Sequence, residues 1–209
     1  MDNINYFRAT YGLRECDVDL IPYGSRVYGT HKEDSDYDYI GIVPANRMVD
    51  TGTEYRWNSL NVHIYNRHAF QAQLEKHKIH TLEAYFVPNK DDFINPVPKD
   101  FKFELDLVKL RNELSEKASH SFVKAKKKID KEKDFYVGWK SLFHSLRILN
   151  FGIQLASKKK IYDFTAANKY WFEIRDAQCY SWDYLKDKYQ PIYNELATEF
   201  RKLAPKEKK

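Results

Sequence analysis

Cysteine is nearly absent: Cys16 and Cys179 are the only two in 209 residues. Two thiols cannot build a disulfide scaffold or a cysteine zinc cluster, and they read as free thiols in a reducing compartment. Seven glycines and seven prolines are too few for a collagenous or low-complexity chain. No apolar run reaches the about 18 residues of a membrane span. The most apolar stretch, residues 141–156, carries His144, Arg147, Asn150 and Gln154. Residues 1–10 are polar and lack the apolar core of an export signal. Charge of one sign is not in large excess either: 35 basic against 30 acidic residues give +5. That permits an anionic partner such as a nucleotide or RNA, but it excludes a dedicated DNA-coating role. No Walker A loop, GxGxxG, HExxH or nucleophile elbow occurs. His63, His68, His77 and His80 have no convincing metal-ligand spacing. These absences predict a cytoplasmic protein without membrane contact.

Hydrophobic residues make up 43% of the chain and aromatics 16%, enough to bury a sizeable core. The length suits one domain, or a compact domain with an appendage. The two halves differ in pattern. Short β-type runs at residues 18–23, 37–43, 53–57 and 60–65 alternate with turns, the last two forming a hairpin around Asn58-Ser59. Helices are expected over 67–77 and 81–86. The second half reads as helical. One long helix covers 103–128. A second carries Leu142, Leu146, Leu149, Ile153 and Ala156 on one face, and a third spans 182–203 with a possible break at Pro191. Pro88, Pro96 and Pro98 mark a linker over 87–99. The front half is therefore α/β or α+β, and the back is all helical. The expected domains are residues 1–90 and 100–209.

The chemistry concentrates in residues 24–43, GSRVYGTHKEDSDYDYIGIV. A strand ends at Tyr23 and Gly24-Ser25 opens a short helix. Gly24 lets a ligand approach the backbone, and Ser25 can cap the helix or hydrogen-bond an oxyanion. A strand-to-helix turn with exposed N–H groups cradles phosphate. Ten residues separate Ser25 from Asp36, which Asp38 follows two positions later at the start of the next strand. Strand alternation points Asp36 and Asp38 to one side and Tyr37 to the other. Two such carboxylates suit Mg²⁺, and the cradle beside them would hold a nucleoside triphosphate through that metal. There the metal would align an attacking hydroxyl and offset charge on the α-phosphate.

Gly24-Ser25, ten residues, then Asp36-x-Asp38, with Gly29-Thr30 and Ser35 between, resembles the signature of the DNA polymerase β-like nucleotidyltransferase superfamily. The likeness is greatest to its small stand-alone bacterial and phage members. It extends weakly through residues 69–86, with the pair Leu82-Glu83, and again over 141–155. The resemblance implies an α+β fold: a small mixed-sheet core with helices, followed by a helical C-terminal part. It also implies transfer of an NMP from an NTP, ATP first, to a hydroxyl of RNA or protein, with Mg²⁺ or Mn²⁺ as cofactor. Asp36 and Asp38 would be catalytic metal ligands, and Gly24, Ser25, Arg26 and Ser35 would hold the nucleotide.

Family members usually carry a third carboxylate on a later strand. The corresponding strand here, LNVHIY over 60–65, contains no Asp or Glu. Asn61 or His63 takes the position, and Glu54 on the preceding strand is the acidic substitute. Asn61 can offer a carbonyl oxygen but cannot accept a proton, so the expected order for the base is His63, then Glu54. The alternative is a catalytically degenerate nucleotide- or RNA-binding module of the same fold.

His144 and Arg147 interrupt an apolar helix and are either its polar side or a phosphate or acceptor contact. Residues 124–133 hold six lysines and two acids. They form a solvated face or, with Tyr136, Trp139, Tyr170 and Trp171, an RNA surface. Tyr28 either stacks on a base or packs in the core.

Overall fold

The computed structural model describes residues 3–14, 17–46, 52–88 and 100–206. Most of the expected linker over 87–99, and Cys16, lie outside the described residues. Cys179 is a free thiol. Two compact units divide the chain at Met1–Glu104 and Leu105–Lys209. Among the described residues no helix is long and apolar enough to cross a membrane.

The first unit runs α1 (Asn3–Thr10), β1 (Asp19–Tyr23), α2 (Ser25–Tyr28), β2 (Tyr37–Val43), β3 (Thr53–Trp57), β4 (Leu60–Asn66), α3 (Arg67–Glu75) and α4 (Ile79–Phe86). The four strands form one mixed sheet in the order β1-β2-β4-β3. β1 pairs antiparallel with β2, β2 parallel with β4, and β3 antiparallel with β4. Alternation in β4 explains the two faces. Leu60, Val62 and Ile64 bury with Leu20, Val43 and Phe7 of α1 in one core. Asn61, His63 and Tyr65 take the opposite face, with Ile40 and Ile42 of β2. The β3–β4 hairpin turns at Asn58, whose φ of 50° is one that asparagine tolerates. The Asn66 side chain accepts from the Ala69 N–H at 2.8 Å and starts α3.

The second unit comprises α5 (Leu107–Lys126), a π-helical turn at Lys127–Lys131, α6 (Phe135–Lys158), α7 (Asn168–Ala177) and α8 (Trp182–Leu203). The first of these helices begins four residues later than its composition predicts. Asp106 caps it, accepting from Val108 and Lys109 N–H at 2.9 Å each. Phe103 instead packs on His77, Tyr85 and Phe86 of the first unit. α6 is the hub of its unit, packed by α5, α7 and α8. Leu142, Leu146 and Leu149 are fully buried, and so are Ile148, Phe151 and Leu155, so apolar contact extends well beyond one stripe. At Gly152 an added Cβ would lie 2.9 Å from Phe200, which explains the missing side chain there. α8 is not broken at Pro191. Proline removes the bond to the Asp187 carbonyl, but Asp187 is exposed and water can take over. Buried Leu185 and Tyr189 before the proline, and Ala197 and Phe200 after it, hold both halves to the same core.

Candidate functional site

β1 ends at Tyr23, and Gly24 adopts φ 78° and ψ −155°, a region open essentially to glycine. A Cβ at Gly24 would lie 3.0 Å from both Cβ and Cγ of Asp38 and closer still to its Oδ2. Backbone conformation and close approach therefore both require glycine. The Val27 and Tyr28 N–H groups donate to the Gly24 carbonyl at 3.1 and 3.3 Å. The Ser25 and Arg26 N–H groups thus precede the first helical donor, Val27, as at any helix start.

Side chains fasten this four-residue helix on two sides. Tyr28 Oη donates to Glu83 Oε2 of α4 at 2.7 Å, and both residues are buried. Of the two readings of Tyr28, the core one holds. Arg26 donates from Nη2 to the Ser35 carbonyl at 2.6 Å and from Nε to the Asp36 carbonyl at 3.3 Å. Its guanidinium also lies 3.8 Å from the centre of the Tyr37 ring. Ser35 Oγ accepts from the Lys32 N–H at 2.8 Å. Arg26 and Ser35, read from sequence as nucleotide contacts, thus shape the loop that carries Asp36. No local pattern signals these bonds, which link residues nine and ten apart.

Asp36 is exposed and immediately precedes β2, while Asp38 is half-buried in it. Strand register decides what lies beside Asp38. Tyr23, Asp38, Asn61 and Arg56 form one row across β1, β2, β4 and β3. Asn61 Nδ2 donates to Asp38 Oδ1 at 3.0 Å. His63 and Glu54 occupy the next row, opposite Ile40, with His63 Nε2 3.8 Å from Glu54 Oε1. Asn61, and not His63 or Glu54, is therefore the neighbour of Asp38. Arg56 donates to Glu54 Oε1 from Nη2 at 2.6 Å and from Nε at 2.9 Å. That pairing holds the Glu54 carboxyl below its ordinary range, with His63 and Asn61 adding to the effect. Arg56 is raised in turn, first by Glu54 and further by the charges of Asp36 and Asp38.

The donors suit a hard cation. Two carboxylates stand two residues apart, and a glycine leaves room against one of them. The adjacent Asn61 Oδ1 is buried without a hydrogen-bond partner. Among the described residues no group of three or more His, Cys, Asp or Glu is placed to hold a metal ion. A cation here would need further oxygens from elsewhere.

A nucleotidyltransferase domain family model matches residues 4–133. The chain belongs to this nucleotidyltransferase family. A solved nucleotidyltransferase-like protein from Exiguobacterium sibiricum 255-15 is 11% identical, with 96% of this chain and 72% of that chain covered, at a TM-score of 0.32. A score that low bears on neither fold nor function. No curated protein matches the chain. The family match takes in every element of the first unit and continues through α5 of the second.

Beyond the match, α6 carries His144 and Arg147. Arg147 is buried, and its Nη2 lies 2.8 Å from His144 Nδ1. A guanidinium only donates, so Nδ1 bears the lone pair and the proton of the neutral ring sits on Nε2. Burial, followed by the charges of Arg147, Lys117 and Lys124, drives the His144 pKa well below its ordinary value. The Arg147 guanidinium lies 5.3 Å from the Phe143 ring centre and 5.9 Å from that of Phe151. Trp139 and Trp171 are buried in the helical core, so core packing is their role. Part of the lysine run is internally neutralised: Glu132 accepts from Lys128 at 2.6 Å and Lys127 at 2.9 Å, which lowers its pKa to about 2.

Proposed function

We propose that the chain binds an NTP, ATP first, with Mg²⁺ or Mn²⁺ at Asp36 and Asp38, against the Gly24-Ser25 turn. It transfers the NMP to a hydroxyl of an acceptor RNA or protein. The observation that supports this reading is the close approach of Gly24 to Asp38, where an added Cβ would meet the Asp38 side chain, so the turn read as a phosphate cradle adjoins the carboxylate read as a metal ligand. When bound, the cation offsets charge on the phosphates and polarises the α-phosphorus. The turn amides and Ser25 bind phosphate oxygens, while Arg26 and Ser35 keep the Asp36 loop in place. The acceptor oxygen forms a bond to the α-phosphorus, and the bond to the β-phosphate bridging oxygen breaks. Pyrophosphate leaves with that electron pair. The hydroxyl proton passes to the Glu54–His63 pair, the only proton acceptors in the row next to Asp38. Arg56 lowers the Glu54 pKa, which keeps that carboxylate ionised but makes it the weaker base, so His63 is the first acceptor.

A degenerate binding module is the second reading, and the neutral Asn61 beside Asp38 favours it. Incubation with each α-labelled NTP, Mg²⁺ or Mn²⁺, and either total RNA or cell protein separates the two. Label in the acceptor supports the transferase. Metal-dependent nucleotide binding without transfer supports the module.

A further inference from the structure

We propose that the α5–α6 face of the second unit binds single-stranded RNA, with backbone phosphates on the His144 Nε2–H and on Lys117, Lys124 and Lys140, and a base on the Tyr136 ring. The face stands on the second unit alone; that its RNA is the acceptor rests on the transfer reading above.

Helical spacing builds the face. Tyr136, Lys140, His144 and Arg147 recur along α6 at intervals of four, four and three, so they share one side of the helix over about 16 Å. Lys117 and Lys124, about two turns apart on α5, share a side of that helix, and both act on His144. Arg147 anchors the face from within. It is buried, and its bond to Nδ1 leaves the His144 proton on Nε2. His144 is half-buried, and among the described residues nothing accepts from Nε2. A ring N–H donor amid positive charges suits an anion. Lys109, Lys127, Lys128 and Lys188 each pair with a carboxylate. Lys117, Lys124 and Lys140 are exposed, and among the described residues no carboxylate pairs with them. Several such cations along one face match a polyanion better than a single phosphate. The Tyr136 ring favours RNA over an acidic peptide. It is exposed, backed edge-on by Trp171 at 6.0 Å, and Lys140 Nζ lies 5.1 Å from its centre. A ring fixed beside a phosphate-binding cation is a stacking platform for an unpaired base. α6 lies beyond the residues that the family model matches.

The test is fluorescence anisotropy of the full chain with a short labelled single-stranded RNA of mixed sequence, over a series of salt concentrations. Lys117→Gln/Lys124→Gln/Lys140→Gln should weaken binding by about tenfold or more. It should also make the fall of log affinity with log salt shallower by about 2, at roughly 0.7 per phosphate contact on a single strand. Lys169→Gln/Lys186→Gln/Lys202→Gln makes the same charge change at exposed sites on α7 and α8, and should stay within about threefold of wild type. Tyr136→Ala should cost about fivefold or more, while Tyr136→Phe keeps the ring and the affinity. His144→Phe should weaken binding several-fold, and the exposed lysine and tyrosine variants keep the test decisive if it folds poorly. Equal losses in the two lysine variants, equal binding of the same sequence as a duplex, or equal competition by poly-glutamate, the mark of a protein partner, overturns the proposal. Asp36→Asn/Asp38→Asn should bind this RNA as wild type does. Bound RNA that takes no label from any α-labelled NTP contradicts RNA as the acceptor and leaves the face standing. Sub-saturating RNA labelled at the wild-type rate by Lys117→Gln/Lys124→Gln/Lys140→Gln overturns the face and leaves the transfer reading standing.

Discussion

Asn61 donates its side-chain amide to Asp38 Oδ1 across the parallel β2–β4 pair, at 3.0 Å. The bond fixes the Asp38 carboxylate against the Gly24 turn and leaves the pocket one negative charge short of a three-carboxylate centre. Arg56, next in the row, is paired with Glu54. The proton-accepting groups are displaced by one row, to His63 and Glu54.

That displacement predicts a shared acid–base role. Glu54→Gln and His63→Ala should each slow NMP transfer by about 10²–10⁴-fold, the usual contribution of a positioned base. Single-turnover assays at saturating NTP measure it. Wild-type rates in both variants would remove the pair from the mechanism.

Gly24→Ala should destabilise the first unit by about 1–3 kcal/mol, since its backbone conformation is closed to alanine. The added methyl must also push Asp38 aside. Urea melts read the stability loss. Titration with labelled ATP should show weakened binding under conditions where the variant is still folded. Unchanged binding there would separate Gly24 from the site.

Tyr28→Phe removes a buried hydrogen bond to a carboxylate, worth about 1.5–3 kcal/mol. Because Tyr28 lies in the helix that follows the Gly24 turn, nucleotide affinity should fall with stability. Glu83→Gln retains an acceptor and should cost less on both counts. A ranking with Glu83→Gln the worse of the two would contradict the role given to this bond.

His144 predicts a pH dependence. Its folded pKa is depressed below the unfolded value of about 6.5. Below that pH the unfolded chain binds a proton that the fold refuses, so stability falls as pH drops from about 6.5 toward the lower folded value. Chemical denaturation at several pH values, with His144→Gln as reference, should show a slope in wild type that the variant lacks. Equal slopes would refute the neutral, arginine-bonded ring.

Strands and hairpin were legible because alternation and turn chemistry are local: 37–43 and 53–57 match β2 and β3 residue for residue. The pattern of short β-type runs and helices pointed to an α/β or α+β front, and the resemblance carried by Gly24-Ser25 and Asp36-x-Asp38 implied the α+β fold and the family that the match shows. Strand order was not legible. β2 pairs with β4, and only that long-range register singles out Asn61 from within LNVHIY. The Tyr28–Glu83 bond spans 55 residues and leaves no local trace. α1 and α7 were missed, since the polar start of the chain and the aromatic run around Trp171 invited other readings. Pro191 misled because its cost is local, whereas the packing of α8 that outweighs it is tertiary.

The most direct test of the central claim is transfer of label from α-labelled ATP, with Mg²⁺ or Mn²⁺, by wild type and by Asp36→Asn/Asp38→Asn. The variant should fold with stability within about 0.5 kcal/mol of wild type, because Asp36 is exposed and an asparagine carbonyl still accepts from Asn61. Label should enter RNA or protein with wild type alone, with pyrophosphate released. Equal labelling by both proteins would contradict the assignment of Asp36 and Asp38 as the metal-binding centre of a nucleotidyl transfer.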